Sequence, residues 1–152
     1  AMRVRIGYPS PEDEAAVVRR FLAGDPLVEL EPVTSPTELS AAIAETRRVF
    51  LGQATLDYLV ALVRRTREQD EVELGASPRA TLALARAAQA RALLDGRGFV
   101  LPDDVQAVAV PVLAHRLALA PRATLHGTTA ESVVRAVLAE VPVPVEELVE
   151  GA

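Results

Sequence analysis

Between Ser77 and Leu94 the chain reads SPRATLALARAAQARALL, a helix of alanine and leucine with no Asp or Glu, whose only charges are Arg79, Arg86 and Arg91. Nothing else in the sequence restricts the fold as much. Alanine and leucine are strong helix formers, and alanines let a neighbouring backbone come close. The start of this helix is unusual. Ser77 is a favourable N-cap, whose hydroxyl can accept a first-turn N–H. Pro78 takes the first helical position, where a missing N–H costs nothing. Arg79 then puts a cation at the positive end of the helix dipole. Two other helices also open on Ser-Pro, and both follow the electrostatic rule: Ser10-Pro11 leads into Glu12, Asp13 and Glu14, and Ser35-Pro36 into Glu38. Two readings of Arg79 stand. It awaits an external anion, phosphate above all, at the helix N-terminus. Or it pairs with a carboxylate elsewhere in the fold, for which the acidic stretch Asp70-Glu71-Val72-Glu73 is one source.

The chain of 152 residues suits one compact domain. Half of its residues are apolar, but with three Phe, two Tyr and no Trp the core must be built from Ala, Val and Leu. There is no Cys, so disulfide and thiolate chemistry are excluded, and a cytoplasmic location is expected. No apolar run reaches the length of a membrane span, so no membrane insertion is expected. All sixteen basic residues are Arg. A phosphate-binding P-loop needs a lysine, so this chain holds none. A net charge of −5 argues against a nucleic-acid partner.

Arg3 to Tyr8 alternates polar and apolar residues, a strand signal. Alone at a chain start it would be an unpaired edge, a piece of a larger sheet, unless it pairs locally with Val49-Phe50-Leu51. Helices are then expected over about Pro11–Ala23, Pro36–Arg48 and Ala54–Gln69. The first should turn Ala16, Val17, Phe21 and Leu22 inward, and the second Leu39, Ile43 and Val49. The third should bury Leu56, Leu59, Val60 and Val63, leaving Arg64, Arg65, Arg67 and Glu68 wet. On the helix from Ser77, Arg79 and Arg86 fall within about 20° of each other, flanked by Ala83, Ala87 and Ala90. Asp95-Gly96-Arg97-Gly98 reads as a turn. Pro102 opens another helix with Asp103 and Asp104 in its first turn, and Pro111 should kink or split it. The last helix, about Thr129–Glu140, is expected to start on a capping box of Thr128 and Glu131. It should turn Val133, Val134, Val137 and Leu138 inward. His115 and His126 lack matched acidic partners, so no metal site is expected. No nucleophile, base and acid come together by spacing, and the chain by itself is not expected to be an enzyme.

Several stretches carry a resemblance. Arg3-Val4-Arg5-Ile6-Gly7-Tyr8-Pro9, Leu74-Gly75-Ala76-Ser77-Pro78-Arg79-Ala80, Phe99-Val100-Leu101-Pro102-Asp103-Asp104-Val105 and His115-Arg116-Leu117 resemble the C-terminal part of MoxR-family AAA+ ATPases. The similarity runs over about residues 3 to 145. It implies a mainly α fold, an AAA+ lid-type bundle of about five or six helices with a short N-terminal strand. Residues 1–10 would be a remnant of the last strand of the ATPase core, 11–141 the helical lid and 142–152 an extended tail. The resemblance makes Arg79 the sensor-two arginine, set by Ser77 and Pro78 at the helix start, with Arg86 auxiliary. It implies ATP hydrolysis by the parent protein, with ATP and Mg2+ held by a core domain upstream and no cofactor held by this chain alone. It also implies chaperone-like work on client proteins. The implied partners are that core domain, neighbouring subunits of a ring, and proteins with a von Willebrand factor A domain. The alternative is a stand-alone helical interaction module whose Arg79/Arg86 face docks an acidic partner.

Overall fold

The computed structural model describes residues 2–144. The helix starts follow local sequence closely. Helices α1 (Pro11–Ala23), α2 (Pro36–Thr46), α3 (Gln53–Arg65), α4 (Pro78–Leu94), α5 (Pro102–Leu113), α6 (Pro121–Leu125) and α7 (Ala130–Glu140) are joined by two short strands, β1 (Val72–Leu74) and β2 (Ala118–Leu119). A 3-10 turn, Ala114–Arg116, extends α5. The fold is mainly α, as expected, with seven α-helices among the described residues.

The chain divides into two units, Val4–Ala42 and the remainder, with the division inside α2. In the first, Ser10 Oγ accepts from the Asp13 N–H at 3.2 Å, capping α1. The Ser35 hydroxyl and the Glu38 carboxylate form a reciprocal box at the start of α2. Neither α1 nor α2 has a buried residue. Of the residues expected to face inward, Val17, Phe21, Leu22, Leu39 and Ile43 are all at least half exposed, while Val49, just beyond α2, is buried. A segment this short cannot enclose a core of its own. Residues 3–8 have the alternation of a strand but are not part of a strand among the described residues. Phe50 bridges Phe99 instead.

The second unit holds the core. Leu59, Leu62 and Val63 of α3 meet Ala80, Leu84, Ala88 and Ala92 of α4, and Val105, Ala109 and Val112 of α5. Val134 and Val137 of α7 close it. Tyr58 and Leu62 join the buried side of α3, while Leu56 and Val60 are only half-buried, a small rotation from the expected stripe. Ala80, Leu84, Ala88 and Ala92 recur every four residues, so α4 lays a narrow buried ridge on its neighbours. Pro111 does not split α5. It lies near the helix end, so its missing N–H removes one hydrogen bond, and Ala107, four residues earlier, is exposed to water. The acidic stretch at Asp70 is not a plain loop: β1 pairs antiparallel with β2, Val72 opposite Leu119 and Leu74 opposite Ala118. The capping of α7 is shifted by one residue. Thr129 and Ser132 exchange the two hydrogen bonds, rather than Thr128 and Glu131. Residues 142–144 have no regular structure, and the rest of the expected tail lies outside the described residues.

Candidate functional site at the start of helix α4

The N-terminus of α4 is held by the end of α3. Thr66, fully buried, donates its hydroxyl to the Val63 carbonyl at 2.7 Å and accepts the Ala76 N–H at 3.0 Å. Arg67 donates its Nε–H to the Ala76 carbonyl at 2.8 Å. Both backbone groups of Ala76 are therefore engaged just before the helix begins. Gly75 makes this approach possible. A Cβ there would lie 2.6 Å from Arg67 Cγ and 2.7 Å from Arg67 Cα, so no side chain fits without moving backbone. The role of Thr66 and Arg67 was not visible in sequence. The signal available was the Gly75-Ala76 pair, two small residues directly before a Ser-Pro helix start.

From this anchor the chain turns into α4. Ser77 sits at the N-cap with extended φ −80° and ψ 167°, but its hydroxyl makes no capping hydrogen bond. That corrects the expected cap. The other two Ser-Pro helices are capped by hydroxyl oxygens and carry acids in the first turn; α4 has neither. Arg79 is exposed and forms no ion pair or side-chain hydrogen bond among the described residues. The internal-carboxylate reading of Arg79 therefore has no partner here, and the stretch at Asp70 does not supply one. Arg86 is likewise exposed and without such a partner among the described residues. The third arginine of the helix, Arg91, pairs with Asp95 at 3.1 Å.

Arg79 and Arg86 line one hollow of about 470 Å³ together with Met2, Leu82, Ala83, Ala87 and Arg116. Arg116 is a residue that sequence reasoning did not place there. Its Nε–H donates to the Val112 carbonyl at 3.0 Å, which orients its guanidinium. Met2 reaches the same hollow because the Arg3 N–H donates to the Pro111 carbonyl at 2.8 Å. No carboxylate lines it.

The strongest ion pair lies elsewhere. Asp104, nearly fully buried, accepts two hydrogen bonds from Arg97 at 2.7 and 2.6 Å and one from the Leu101 N–H at 2.8 Å. The Arg97 guanidinium holds the Asp104 carboxyl below the usual carboxylate range, and Asp104 in turn raises the pKa of Arg97. The turn at Asp95–Gly98 is thus a turn as expected, but Arg97 within it is a structural cation. Arg65, expected to be merely solvated, bridges to Glu68 at 3.0 Å and to Glu140 of α7 at 2.7 Å. His115 and His126 are exposed, and no group of three metal-ligating side chains occurs among the described residues.

The AAA lid domain family matches residues 64–137, the span that contains the α4 anchor, Arg79, Arg86 and the Arg97–Asp104 pair. The chain is 39% identical over 144 residues to the uncharacterised protein YeaC of Bacillus subtilis, covering 95% of this chain and 45% of that protein. It is 34% identical to chaperone MoxR1 of Mycobacterium tuberculosis, over 93% of this chain and 40% of that one. The crystal structure of a candidate ATPase from Cytophaga hutchinsonii superposes with a TM-score of 0.85 at 27% identity, covering 95% of this chain and 46% of that one. The chain thus spans less than half the length of these relatives.

Proposed function

Since the chain belongs to the MoxR family of AAA+ proteins and carries their AAA lid domain, we propose that it works as a nucleotide-sensing lid. In this reading Arg79 reaches the terminal phosphate of ATP bound in an ATPase core of the same polypeptide. The core supplies Mg2+ and the hydrolytic groups. The lid supplies a permanent charge on a planar donor fork, which suits phosphate oxygens. Loss of the terminal phosphate weakens that contact, so the closed lid position is favoured only while the phosphate is present. The movement would drive chaperone-like remodelling of client proteins within a ring of subunits, with von Willebrand factor A domain proteins as further partners, in the cytoplasm. The chain alone would then hold little or no nucleotide, because the core supplies most of the phosphate contacts, and would not hydrolyse it.

One observation carries the reading. Arg79 is held at an uncapped, carboxylate-free helix start by a buried anchor, yet it has no counter-charge among the described residues. A protein that spends a buried hydroxyl, a guanidinium and an obligatory glycine on placing one helix tip is placing what that tip bears. The test is Arg79→Ala in the ATPase that contains this chain. ATP turnover should fall at least tenfold, the range that loss of one charged phosphate contact implies. Helix content and the melting temperature of the chain should not change. Unaltered turnover would overturn the proposal.

A further inference from the structure

We infer that Thr66 and Arg67 are positioning residues for the ATPase reaction, setting where Arg79 stands by gripping the backbone of Ala76. The inference rests on the sensor reading of Arg79 and names two further residues on which that sensor depends. Both follow the last turn of α3, and together they hold both backbone groups of one residue. The Thr66 hydroxyl accepts the Ala76 N–H at 3.0 Å while donating to the Val63 carbonyl at 2.7 Å, so its oxygen is itself tied to α3. Thr66 and Ala76 are fully buried, where water does not replace a lost partner. Arg67 donates its Nε–H to the Ala76 carbonyl at 2.8 Å. Its side chain forms no ion pair among the described residues, so the hold on this carbonyl is the contact its guanidinium makes.

The path from Ala76 to Arg79 is short and stiff. Only Ser77 and Pro78 lie between them. Ser77 is extended, the ring of Pro78 locks its φ, and the Ala80 N–H donates to the Ser77 carbonyl at 2.8 Å. A shift of Ala76 therefore reappears at Arg79 with little to absorb it. The core contact of α4 does not do the same work. Its buried ridge is Ala80, Leu84, Ala88 and Ala92, and the single methyl group of each alanine gives little resistance to a helix sliding along its axis. The anchor fixes the axial position at the end where Arg79 stands, with Gly75 allowing the backbone to press against Arg67. A fold tolerates a small slide of this kind. A group that must meet a reacting phosphate does not, since a misplacement of about 1 Å costs about 100-fold in rate.

The experiment is a set of double-mutant cycles in the ATPase that contains this chain, reading ATP turnover below the melting temperature of every variant. Thr66→Val keeps the buried shape and removes the hydroxyl; Arg67→Ala removes the second donor from an exposed residue that the core does not need. Each should lower kcat about tenfold, and Thr66→Ser and Arg67→Gln should restore it to within about threefold of the unsubstituted enzyme. Serine returns the hydroxyl, and glutamine carries an N–H donor as many bonds from the backbone as the Nε of Arg67. On an Arg79→Ala background Thr66→Val and Arg67→Ala should each cost less than about twofold, because residues that act as one unit are not additive. Equal losses with and without Arg79 overturn the inference, since an anchor that served folding alone would act in both. Failure of Thr66→Ser or Arg67→Gln to restore turnover also overturns it. So does full turnover in Thr66→Val and Arg67→Ala when Arg79→Ala lowers it, an outcome that leaves the sensor reading intact. Unchanged turnover in Arg79→Ala itself removes the sensor reading, and this inference with it.

Discussion

Arg79 and Asp104 use charge in opposite ways. Arg79 is exposed at a helix start that disfavours it, so the folded chain gains nothing from it. Asp104 is buried and triply hydrogen-bonded, so the fold depends on it. Its carboxyl is held low, chiefly by Arg97, against an unshifted value of 3.8. A carboxyl whose pKa is depressed on folding adds stability that is fully present above the unfolded pKa and lost as pH falls through the folded one. The unsubstituted chain should therefore lose stability progressively on acidification below about pH 4. Asp104→Asn should flatten that part of the curve and cost about 2 kcal/mol at neutral pH, measured by urea unfolding across pH. An unaltered acid limb would show that other carboxylates dominate it. Gly75 gives a second test at this scale. Gly75→Ala forces a Cβ to within 2.7 Å of Arg67 Cα, and should destabilise by about 1–3 kcal/mol. Gly98→Ala, with nothing within 4 Å of the added carbon, is the control and should change stability by less than about 0.5 kcal/mol. Equal effects at the two glycines would remove the argument for a close approach at the α4 anchor.

Helix α4 serves two purposes along one length. Ala80, Leu84, Ala88 and Ala92 face the core, while Arg79, Leu82 and Arg86 face out. Alanine sets how closely α4 approaches its neighbours. Ala88→Leu should overpack that contact and cost about 1–3 kcal/mol by thermal or urea unfolding, whereas Leu82→Ala, on the exposed side, should be nearly neutral. A tolerated Ala88→Leu would mean that the ridge has slack. The start and course of α4 were legible in sequence because they depend on nearby residues: Ser-Pro at its head, helix formers along it and a Gly turn at its end. The acid-free first turn of α4 was legible too, because a missing acid is a local fact. What could not be read depends on residues far apart in the chain. The pairing of β1 with β2 joins Val72 to Leu119, the link between helices α3 and α7 joins Arg65 to Glu140, and the hollow beside Arg79 and Arg86 gains Arg116 from beyond α5. None of these partners differs in type from residues that stay solvated. The Ser77 hydroxyl was misread for a related reason: residue type gives a capacity to cap, and only the backbone path decides whether it is used.

Across the whole molecule, burial is unevenly shared. Every residue buried in the core lies at or beyond Val49, whereas α1 and α2 bury nothing among their described residues. Large apolar side chains such as Ile6, Tyr8 and Leu22 are more than four-fifths exposed. Hydrophobic burial is the main term opposing chain entropy, so a helix without it is held by little beyond its caps. The carboxylate-bearing starts of α1 and α2 contribute a few tenths of a kcal/mol to about 1 kcal/mol each, too little to protect a helix of this length from opening. Amide hydrogen exchange should resolve this. Amides of α3, α4 and α5 should exchange only through opening of the core, and those of α1 and α2 at least about tenfold faster. In a longer protein of the kind the relatives represent, contacts from the preceding polypeptide should slow exchange in residues 3–22 selectively, leaving α4 unchanged. Uniform protection across the isolated chain would contradict this distribution of stability, and with it the view that residues 3–22 present apolar surface for another part of the protein to cover.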